Sequence, residues 1–216
     1  MNIAILIPAY NTEKYLPSLI DRILSVYNGK IIIIEDGSIN SISYSHSSVD
    51  MLKNEKNMGK GYSLLKGMRY AFDQGFDAVI TIDSDGQHDP KYITNFLNNN
   101  RADIVIGTRK FDGNMPFHRR LSNTISSKLV SMLAGVDIPD SQSGYRMYLL
   151  RSILSLSLKE EGFQFESEVL ICAGRKGYRF NSIPISTLYS NEDSNINSIM
   201  DTLRFIRLII VRLLWS

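Results

Sequence analysis

Several features are scarce or absent in this 216-residue sequence, and each absence excludes a class of protein. A single cysteine, Cys172, excludes an intrachain disulfide and a metal site built from several thiolates. No uninterrupted apolar run approaches the roughly 18–20 residues that span a bilayer. The start of the chain has neither the basic segment nor the cleavage site of a secretory signal. We therefore expect a soluble cytosolic domain.

A large excess of charge of one sign is also missing. The 24 basic and 22 acidic residues leave a net charge of +2, which is too balanced for a dedicated nucleic-acid-binding protein. The composition excludes general disorder, since 44% of the residues are hydrophobic and 21% are charged. The length fits one α/β domain and leaves little room for a second.

Strand-like and helix-like segments alternate along the chain, which is the pattern of a mainly parallel sheet flanked by helices. Four consecutive isoleucines at residues 31–34 are typical of a central parallel strand covered on both faces. Strands are predicted over residues 3–7, 31–34, 77–82, 103–107, 143–150 and 178–188. Helices are predicted over residues 14–27, 59–75, 90–98, 122–133, 165–174 and 198–215, and the Ser-rich residues 39–50 are expected on the surface. The predicted fold class is α/β, with a Rossmann-like sheet.

The strongest local signal is a pair of carboxylates, Asp83 and Asp85, directly after a predicted strand. In an extended turn, residues i and i+2 point the same way, so the two side chains can converge. Carboxylates this close repel each other unless a cation neutralises them, and hard oxygen ligands suit Mg²⁺ or Mn²⁺. The alternative is a polar turn that caps the next helix, with Asp89 as the N-cap before Pro90.

Two further turns follow or precede predicted elements. Glu35-Asp36-Gly37-Ser38 follows the isoleucine strand, where acidic groups at the carboxyl end of a parallel sheet can bind a base or a ribose. The same four residues are also typical of an ordinary turn. Asn57-Met58-Gly59-Lys60-Gly61 opens a predicted helix, and a flexible N-terminal cap is its simpler interpretation.

Together with Pro8-Ala9-Tyr10-Asn11, these turns follow an order that resembles glycosyltransferase family 2. Within that family the resemblance is to the dolichyl-phosphate mannose synthase-like branch, which uses polyprenyl phosphates. It covers residues 2–190, and its later motifs are Gly107-Thr108-Arg109, Asp140-Ser141-Gln142-Ser143-Gly144-Tyr145-Arg146, Phe165-Glu166-Ser167-Glu168 and Ile183-Pro184-Ile185. The resemblance implies a GT-A fold that binds a nucleotide-sugar at the carboxyl ends of its first strands.

The resemblance also implies roles for individual residues of a donor site. Asp83 would lie on the ribose side, and Asp85 and Gln87 would ligate Mg²⁺ or Mn²⁺ on the diphosphate of a GDP- or UDP-sugar. The nucleoside would be held by Pro8, Tyr10 and Asp36. The whole nucleotide-sugar site would then consist of Pro8, Tyr10, Asp36, Asp83, Ser84, Asp85 and Gln87.

The acceptor implied by the resemblance is a polyprenyl phosphate, to which the sugar is transferred with inversion. A phosphate monoester is already ionised near neutral pH, because its second pKa is about 6, and it needs charge neutralisation rather than a base. A saccharide hydroxyl would need a carboxylate base, for which Asp140 is the candidate. The expected acceptor-phosphate residues are Arg109, Arg119, Arg120 and Ser122. The expected catalytic residues are Asp85, Arg109 and Asp140.

Residues 198–216 are expected to form a C-terminal amphipathic helix that follows a GT-A domain of residues 1–197. Arg204, Arg207 and Arg212 fall within one face of this helix, and most of the remainder is apolar and ends in Trp215. Such a helix suits the plane of an anionic membrane surface, and the alternative is a last helix packed on the domain. We expect a peripheral protein at the cytoplasmic, inner face of the membrane, with a membrane protein as a further candidate partner.

Two other functions stay open from the sequence. One is transfer to a saccharide hydroxyl in cell-surface polysaccharide synthesis. The other is an inactive relative that binds a nucleotide or a membrane, because Ser194-Asn195-Ile196 stands where the family has residues that close over the phosphates. The intact set of Asp83, Asp85 and Gln87 favours an active enzyme.

Overall fold

A computed structural model describes residues 1–40, 42–99, 101–109, 117–186 and 198–214, without the side chains of residues 117–119, 198–201 and 214. Its strands are β1 (Ile3–Ala9), β2 (Ile31–Glu35), β3 (Val49–Lys53), β4 (Ala78–Thr81), β5 (Ile104–Arg109), β6 (Arg146–Leu149) and β7 (Phe180–Ile185). Its α-helices are α1 (Leu16–Leu24), α2 (Lys60–Asp73), α3 (Ile93–Asn98), α4 (Phe117–Ala134), α5 (Leu150–Ile153), α6 (Phe165–Arg175) and α7 (Ser198–Leu214). A short 3-10 helix, Pro90–Tyr92, precedes α3.

The described strands form one sheet in the order β3-β2-β1-β4-β6-β5-β7. All neighbouring strands are parallel except β6, which runs antiparallel to β4 and to β5. From β1 the chain moves outward to β2 and β3 on one side and starts again at β4 on the other side. The carboxyl edge at such a switch point, here between β1 and β4, is where open α/β sheets bind ligands. The mainly parallel sheet predicted from the sequence is confirmed.

Alternating side chains of the central strands divide the core into two layers. In β1, Ile3, Ile5 and Ile7 join one hydrophobic cluster, and Ala4 and Leu6 join the other. The isoleucines of β2 divide in the same way, because successive residues of a strand point to opposite faces. Helices α1 and α3 cover the first layer, and α2, α4, α6 and α7 cover the second.

Two prolines lie inside strands, and both sit where no ladder hydrogen bond is lost. The sequence predicts that β1 stops at Pro8, but the strand continues to Ala9. The backbone groups of odd-numbered β1 residues face β2, because the N–H of Ile5 donates to the carbonyl oxygen of Lys30. Pro8 is even-numbered and therefore faces β4. The pairing of β4 with β1 ends at Leu6, so Pro8 has no partner there to lose. Pro184 lies in the edge strand β7, where proline is tolerated.

Strand β3 was not predicted from the sequence, which places residues 39–50 on the surface. It pairs in parallel with β2 at one edge of the sheet. Its side chains are half-buried, except that of Lys53, which is exposed. An edge strand without a buried apolar run lacks the pattern by which the central strands are recognised.

Helix α7 packs on the domain with part of its surface. Leu208 and Ile209 are buried and Phe205 is half-buried, all within the layer that contains α4 and α6. The helix also exposes an apolar stripe, called here the α7 stripe, of Leu203, Ile206, Ile210 and Leu213. Within the described part of the chain, no helix combines the length and the apolar composition needed to cross a membrane. Trp215 lies outside the described residues.

Candidate active site

The carboxyl ends of β1, β2 and β4 bring the predicted donor-site residues to one edge of the sheet. Pro8 is buried in β1 and the half-buried Tyr10 directly follows that strand, whereas Asp36 follows β2. The turn at residues 83–88 follows β4, and its Ser84 is buried. Because β1 lies between β2 and β4, these three segments are neighbours in space.

Asp36 is held by donors of the protein itself. Its carboxylate accepts hydrogen bonds from the Asn54 side chain at 2.7 Å and from the backbone N–H groups of Met58 and Gly59 at 2.9 Å each. The residue is buried. Asp36 therefore fixes the loop that leads into α2, and its contact with a nucleoside stays a prediction.

The glycines before and within the start of α2 are required by a close backbone contact. A Cβ on Gly59 would lie 2.5 Å from the carbonyl oxygen of Glu161, and a Cβ on Gly61 would lie 2.8 Å from that of Glu160. Gly59 also has a φ of +98°, which side chains rarely adopt. The cap at the start of α2 is therefore fixed against residues 160–161 rather than flexible.

Asp83 is neutralised by a lysine at the start of α2. Nζ of Lys60 lies 2.6 Å from Oδ1 of Asp83 and 3.3 Å from Oε2 of Glu166. On the other side, Nε2 of His88 lies 3.4 Å from Oδ2 of Asp83. Burial acts to raise the pKa of Asp83, but Lys60 and His88 outweigh it and hold the pKa below its usual range. Burial acts to lower the pKa of Lys60, but the two carboxylates raise it above its usual range.

Asp85 has no ion-pair partner among the described residues. Its Oδ1 accepts a hydrogen bond from the backbone N–H of Gln87 at 2.9 Å. The residue as a whole is exposed. Partial burial of its carboxyl group and the negative charge of Asp83 nevertheless raise the pKa of Asp85. The negative charge of this turn is thus compensated at Asp83 and uncompensated at Asp85.

The donor chemistry of this turn fits a divalent cation. Asp85 and Gln87 offer a carboxylate and an amide oxygen, which are the ligands that Mg²⁺ and Mn²⁺ prefer. Among the described residues, no group of three or more His, Cys, Asp or Glu side chains could hold a metal by itself. Sites for these ions usually keep positions for water and substrate phosphates, so two ligands from the protein are sufficient. The binding of a metal by Asp85 and Gln87 stays a prediction.

Gly144 brings the segment before β6 against Asp83. A Cβ on Gly144 would collide with the carboxylate of Asp83, so a larger residue would displace that carboxylate. Thr81 of β4 fixes the approach, because its hydroxyl donates to the carbonyl oxygen of Gly144 at 2.8 Å. The motif that contains this glycine therefore supports the donor-site turn.

Arg146, two residues further, is fully buried and ties two parts of the candidate site together. Its guanidinium donates to the carbonyl oxygens of Ser141 and Ser143 at 2.7 Å each and to that of Glu166 at 2.9 Å. A further hydrogen bond reaches the hydroxyl of Tyr148 at 3.2 Å. Arg146 thus joins the loop before β6 to the start of α6.

Arg109, the last residue of β5, forms a bidentate pair with Asp140. Nε and Nη2 of Arg109 donate to the two carboxylate oxygens at 2.8 and 2.9 Å, and Asp140 is fully buried. Burial acts to raise the pKa of Asp140, but the Arg109 guanidinium outweighs it and holds the pKa below its usual range. A carboxylate in this state is a weak base, so the geometry does not favour Asp140 as a general base. The roles of both residues toward an acceptor stay predictions.

The other predicted acceptor residues lie on the first turns of α4. Arg120 and Ser122 are exposed, and the side chain of Arg119 lies outside the described residues. Further along α4, the hydroxyl of Ser127 accepts a hydrogen bond at 2.9 Å from the backbone N–H of Ser141, the residue after the paired aspartate. Helix α4 therefore runs beside that pair, and the exposed Arg120 lies about two turns before Ser127 on the same helix.

Lys60, Glu166 and His88 are functional candidates that were not predicted from the sequence. Lys60 and Glu166 are 106 residues apart, so only the fold reveals their contact. The sequence did contain one indication of their importance, because Lys60 and Glu166 lie inside motifs on which the family resemblance rests. Oε1 of Glu166 and Nδ1 of His88 are buried without a hydrogen-bond partner among the described residues. The stretch Ser194-Asn195-Ile196 lies outside the described residues.

The chain is similar to known proteins over most of its length. Residues 4–156 match the family model described as Glycosyl transferase family 2. The UDP-N-acetylglucosamine--dolichyl-phosphate N-acetylglucosaminyltransferase of Methanococcus voltae is 29% identical, over 87% of this chain and 86% of that protein. The undecaprenyl-phosphate mannosyltransferase of Micrococcus luteus is 27% identical, over 86% of this chain and 83% of that protein.

Solved structures share the architecture of the chain. The glucosyl-3-phosphoglycerate synthase of Mycobacterium tuberculosis, in complex with Mn²⁺, UDP and glucosyl-3-phosphoglycerate, matches with a TM-score of 0.70 and 18% identity. The match covers 99% of this chain and 78% of the other. At this identity the likeness establishes the fold alone, and it confirms the predicted α/β fold of GT-A type.

Proposed function

This chain belongs to glycosyltransferase family 2, and we propose that it transfers a sugar from a GDP- or UDP-sugar to a polyprenyl phosphate, with inversion at the anomeric carbon. The observation that carries the proposal is the turn after β4, where Asp83 is neutralised by Lys60 and the charge of Asp85 is uncompensated. Two similar proteins support the substrate class, since they are named as transferases that use dolichyl phosphate and undecaprenyl phosphate.

In this proposal the donor binds at the switch point between β1 and β4. Asp85 and Gln87 would hold Mg²⁺ or Mn²⁺, and the bound ion would supply positive charge to the diphosphate of the donor. The ammonium group of Lys60 neutralises the carboxylate of Asp83, which belongs to the same turn as Asp85 and Gln87. The nucleoside and ribose contacts fall to Pro8, Tyr10, Asp36, Asp83 and Ser84.

A phosphate acceptor agrees better with the state of Asp140 than a hydroxyl acceptor does. Asp140 is engaged by Arg109, and a hydroxyl would need an available base to take its proton. An ionised phosphate needs positive charge instead, which the exposed Arg120 on the first turns of α4 offers. This difference ranks the lipid phosphate above a saccharide hydroxyl.

We expect Arg120→Ala to raise the KM for a short-chain polyprenyl phosphate about tenfold while kcat changes little, because a charge that positions the acceptor is lost in ground state and transition state alike. Asp140→Asn should retain measurable transfer, since no proton has to be removed from an ionised phosphate. The measurement is steady-state transfer with Mn²⁺ and each of the two candidate nucleotide donors.

The matched control for Arg120→Ala is Lys128→Ala, which removes an exposed positive charge two turns further along α4. The control should keep the KM of the unmodified enzyme. Loss of all transfer in Asp140→Asn together with unchanged kinetics in Arg120→Ala would contradict a phosphate acceptor and favour a hydroxyl.

We also propose that the protein acts as a peripheral protein at the cytoplasmic face of an anionic membrane, where its lipid acceptor resides. The α7 stripe is apolar and exposed, and α4, which packs beside α7, exposes Leu121, Ile125 and Met132. Arg204 and Arg207 are exposed on α7, whereas the Arg212 side chain is largely buried, so the electrostatic part of the attraction is assigned to Arg204 and Arg207. Each of these two arginines near an anionic surface contributes about 1 kcal/mol.

Attachment should therefore depend on both the apolar stripe and the salt concentration. We expect the full chain to sediment with anionic liposomes at low salt and to be released as the ionic strength rises through physiological values. Ile210→Asp should abolish sedimentation, because it places a charge in the middle of the α7 stripe. Ile39→Asp is the matched control, since Ile39 is 85% exposed outside α4 and α7.

Sedimentation of Ile210→Asp at the level of the unmodified chain would contradict the role of the α7 stripe. Equal sedimentation with neutral and anionic liposomes would contradict the electrostatic contribution. Point substitutions are preferred to deletion of α7, because Leu208 and Ile209 belong to the hydrophobic core.

A further inference from the structure

The C-terminal helix is connected to the donor site through a short segment that crosses the start of α2. This segment, residues 159–163, is called here the strap. The backbone N–H of Tyr62 donates to the carbonyl oxygen of Glu161 at 3.0 Å. The ring of Phe163 lies with its centroid 5.8 Å from Nζ of Lys60. The strap therefore contacts both the backbone of α2 and the side chain that neutralises Asp83.

The two glycines at the start of α2 make this contact a close one. The carbonyl groups of Glu160 and Glu161 occupy the space that side chains on the two glycines would need. Neither the strap nor the start of α2 can therefore shift without moving the other. The position of Lys60, between Gly59 and Gly61, is thus set by the position of the strap.

Glu168 of α6 anchors the strap through two hydrogen bonds. One carboxylate oxygen, Oε2, accepts hydrogen bonds from the backbone N–H groups of Lys159 and Glu160, each at 2.9 Å. Glu168 is 1% exposed, so it can hold the strap as a charged acceptor only if its charge is compensated.

That compensation comes from α7. The guanidinium of Arg212 donates to the second oxygen, Oε1, of Glu168. The Arg212 side chain is 18% exposed, so the pair is largely shielded from solvent. A separate bond holds the same turn of α7 without touching Glu168, because Nη2 of Arg175 donates to the carbonyl oxygen of Arg212 at 2.6 Å.

We infer that Arg212 and Glu168 are positioning residues of the donor site: the pair holds the strap, and the strap holds Lys60 against Asp83. The inference rests on the proposed function, in which the turn of Asp83 binds the nucleotide-sugar. It gives α7, which lies beyond the residues matched by the family model, a part in donor binding.

The experiment compares the full unmodified chain with Arg212→Ala, Arg212→Lys and Arg175→Ala. Titration calorimetry with UDP and with GDP, each with Mn²⁺, measures nucleotide affinity. Hydrogen exchange measures protection of the backbone amides of Lys159, Glu160 and Tyr62. We expect Arg212→Ala to weaken nucleotide binding about tenfold and to increase exchange at all three amides.

Arg212→Lys should give intermediate values, because it keeps the charge but offers a different geometry. Arg175→Ala should behave as the unmodified chain does, since it loosens α7 while leaving the Glu168 pair in place. If Arg212→Ala fails to fold, Glu168→Gln keeps the shape of the buried side chain and should show the same two changes.

Unchanged amide exchange in Arg212→Ala would overturn the inference. Equal effects of Arg175→Ala and Arg212→Ala would also overturn it, because they would show a general loosening of α7. Failure of the unmodified chain to bind either nucleotide would count against the proposed function instead, and the exchange measurement, which needs no nucleotide, would still decide whether the pair holds the strap.

Discussion

Asp85→Ala should lower the turnover number by about a hundredfold to a thousandfold and leave the fold intact. The loss follows from the proposed metal site, because Asp85 carries the uncompensated charge of the turn after β4 and is its only proposed carboxylate ligand. The fold should persist because Asp85 is exposed and its one described hydrogen bond stays within the turn. Steady-state transfer in a series of Mn²⁺ concentrations and thermal unfolding measure the two effects.

Asp137→Ala is a suitable control, since it removes an exposed carboxylate from a loop outside the candidate site. It should change neither turnover nor the Mn²⁺ dependence. Near-normal turnover of Asp85→Ala in saturating Mn²⁺ would show that the metal assignment is wrong. A large drop in thermal stability would show that the turn has a structural role instead.

Arg146→Met should reduce the free energy of unfolding by about 3 kcal/mol. The substitution leaves the carbonyl oxygens of Ser141, Ser143 and Glu166 without their donor in a buried place. Methionine fills much of the volume, so the loss of hydrogen bonds rather than a cavity dominates. Equilibrium unfolding in urea gives the change in free energy from the midpoint and the slope.

Arg151→Met provides the comparison, because Arg151 is an exposed arginine at the start of α5. Its unfolding midpoint should stay close to that of the unmodified protein. A midpoint for Arg146→Met equal to that of Arg151→Met would contradict the importance of the buried guanidinium. We also expect Arg146→Met to lose activity, since its bonds join two segments of the candidate site.

Most of the fold could be predicted from the sequence because its central strands are buried on both faces. The isoleucine runs of β1 and β2 identify these segments as buried strands without any tertiary information. The helices that pack on them have a clear apolar face. The half-buried edge strand β3 could not be found this way. The end of β1 was misplaced for a related reason, since the tolerance of Pro8 depends on how far β4 extends.

The candidate site was predictable only in part. Asp83 and Asp85 are two positions apart in the sequence, so local geometry was enough to propose that they act together. The partner that most distinguishes the two, Lys60, comes from the start of α2 and could be found only in the folded chain. The pairing of Arg109 with Asp140 joins two residues that the sequence had selected separately, and it changes what each can do.

The two prolines also bear on how the protein behaves at high concentration. A sheet edge with free backbone groups can pair with the edge of another chain and begin aggregation. At the β7 edge, Pro184 has no N–H to offer on its outward side, which interrupts such a ladder. At the β3 edge, Asp50 and Lys53 place charges along the strand. Both ends of the sheet therefore discourage association between chains.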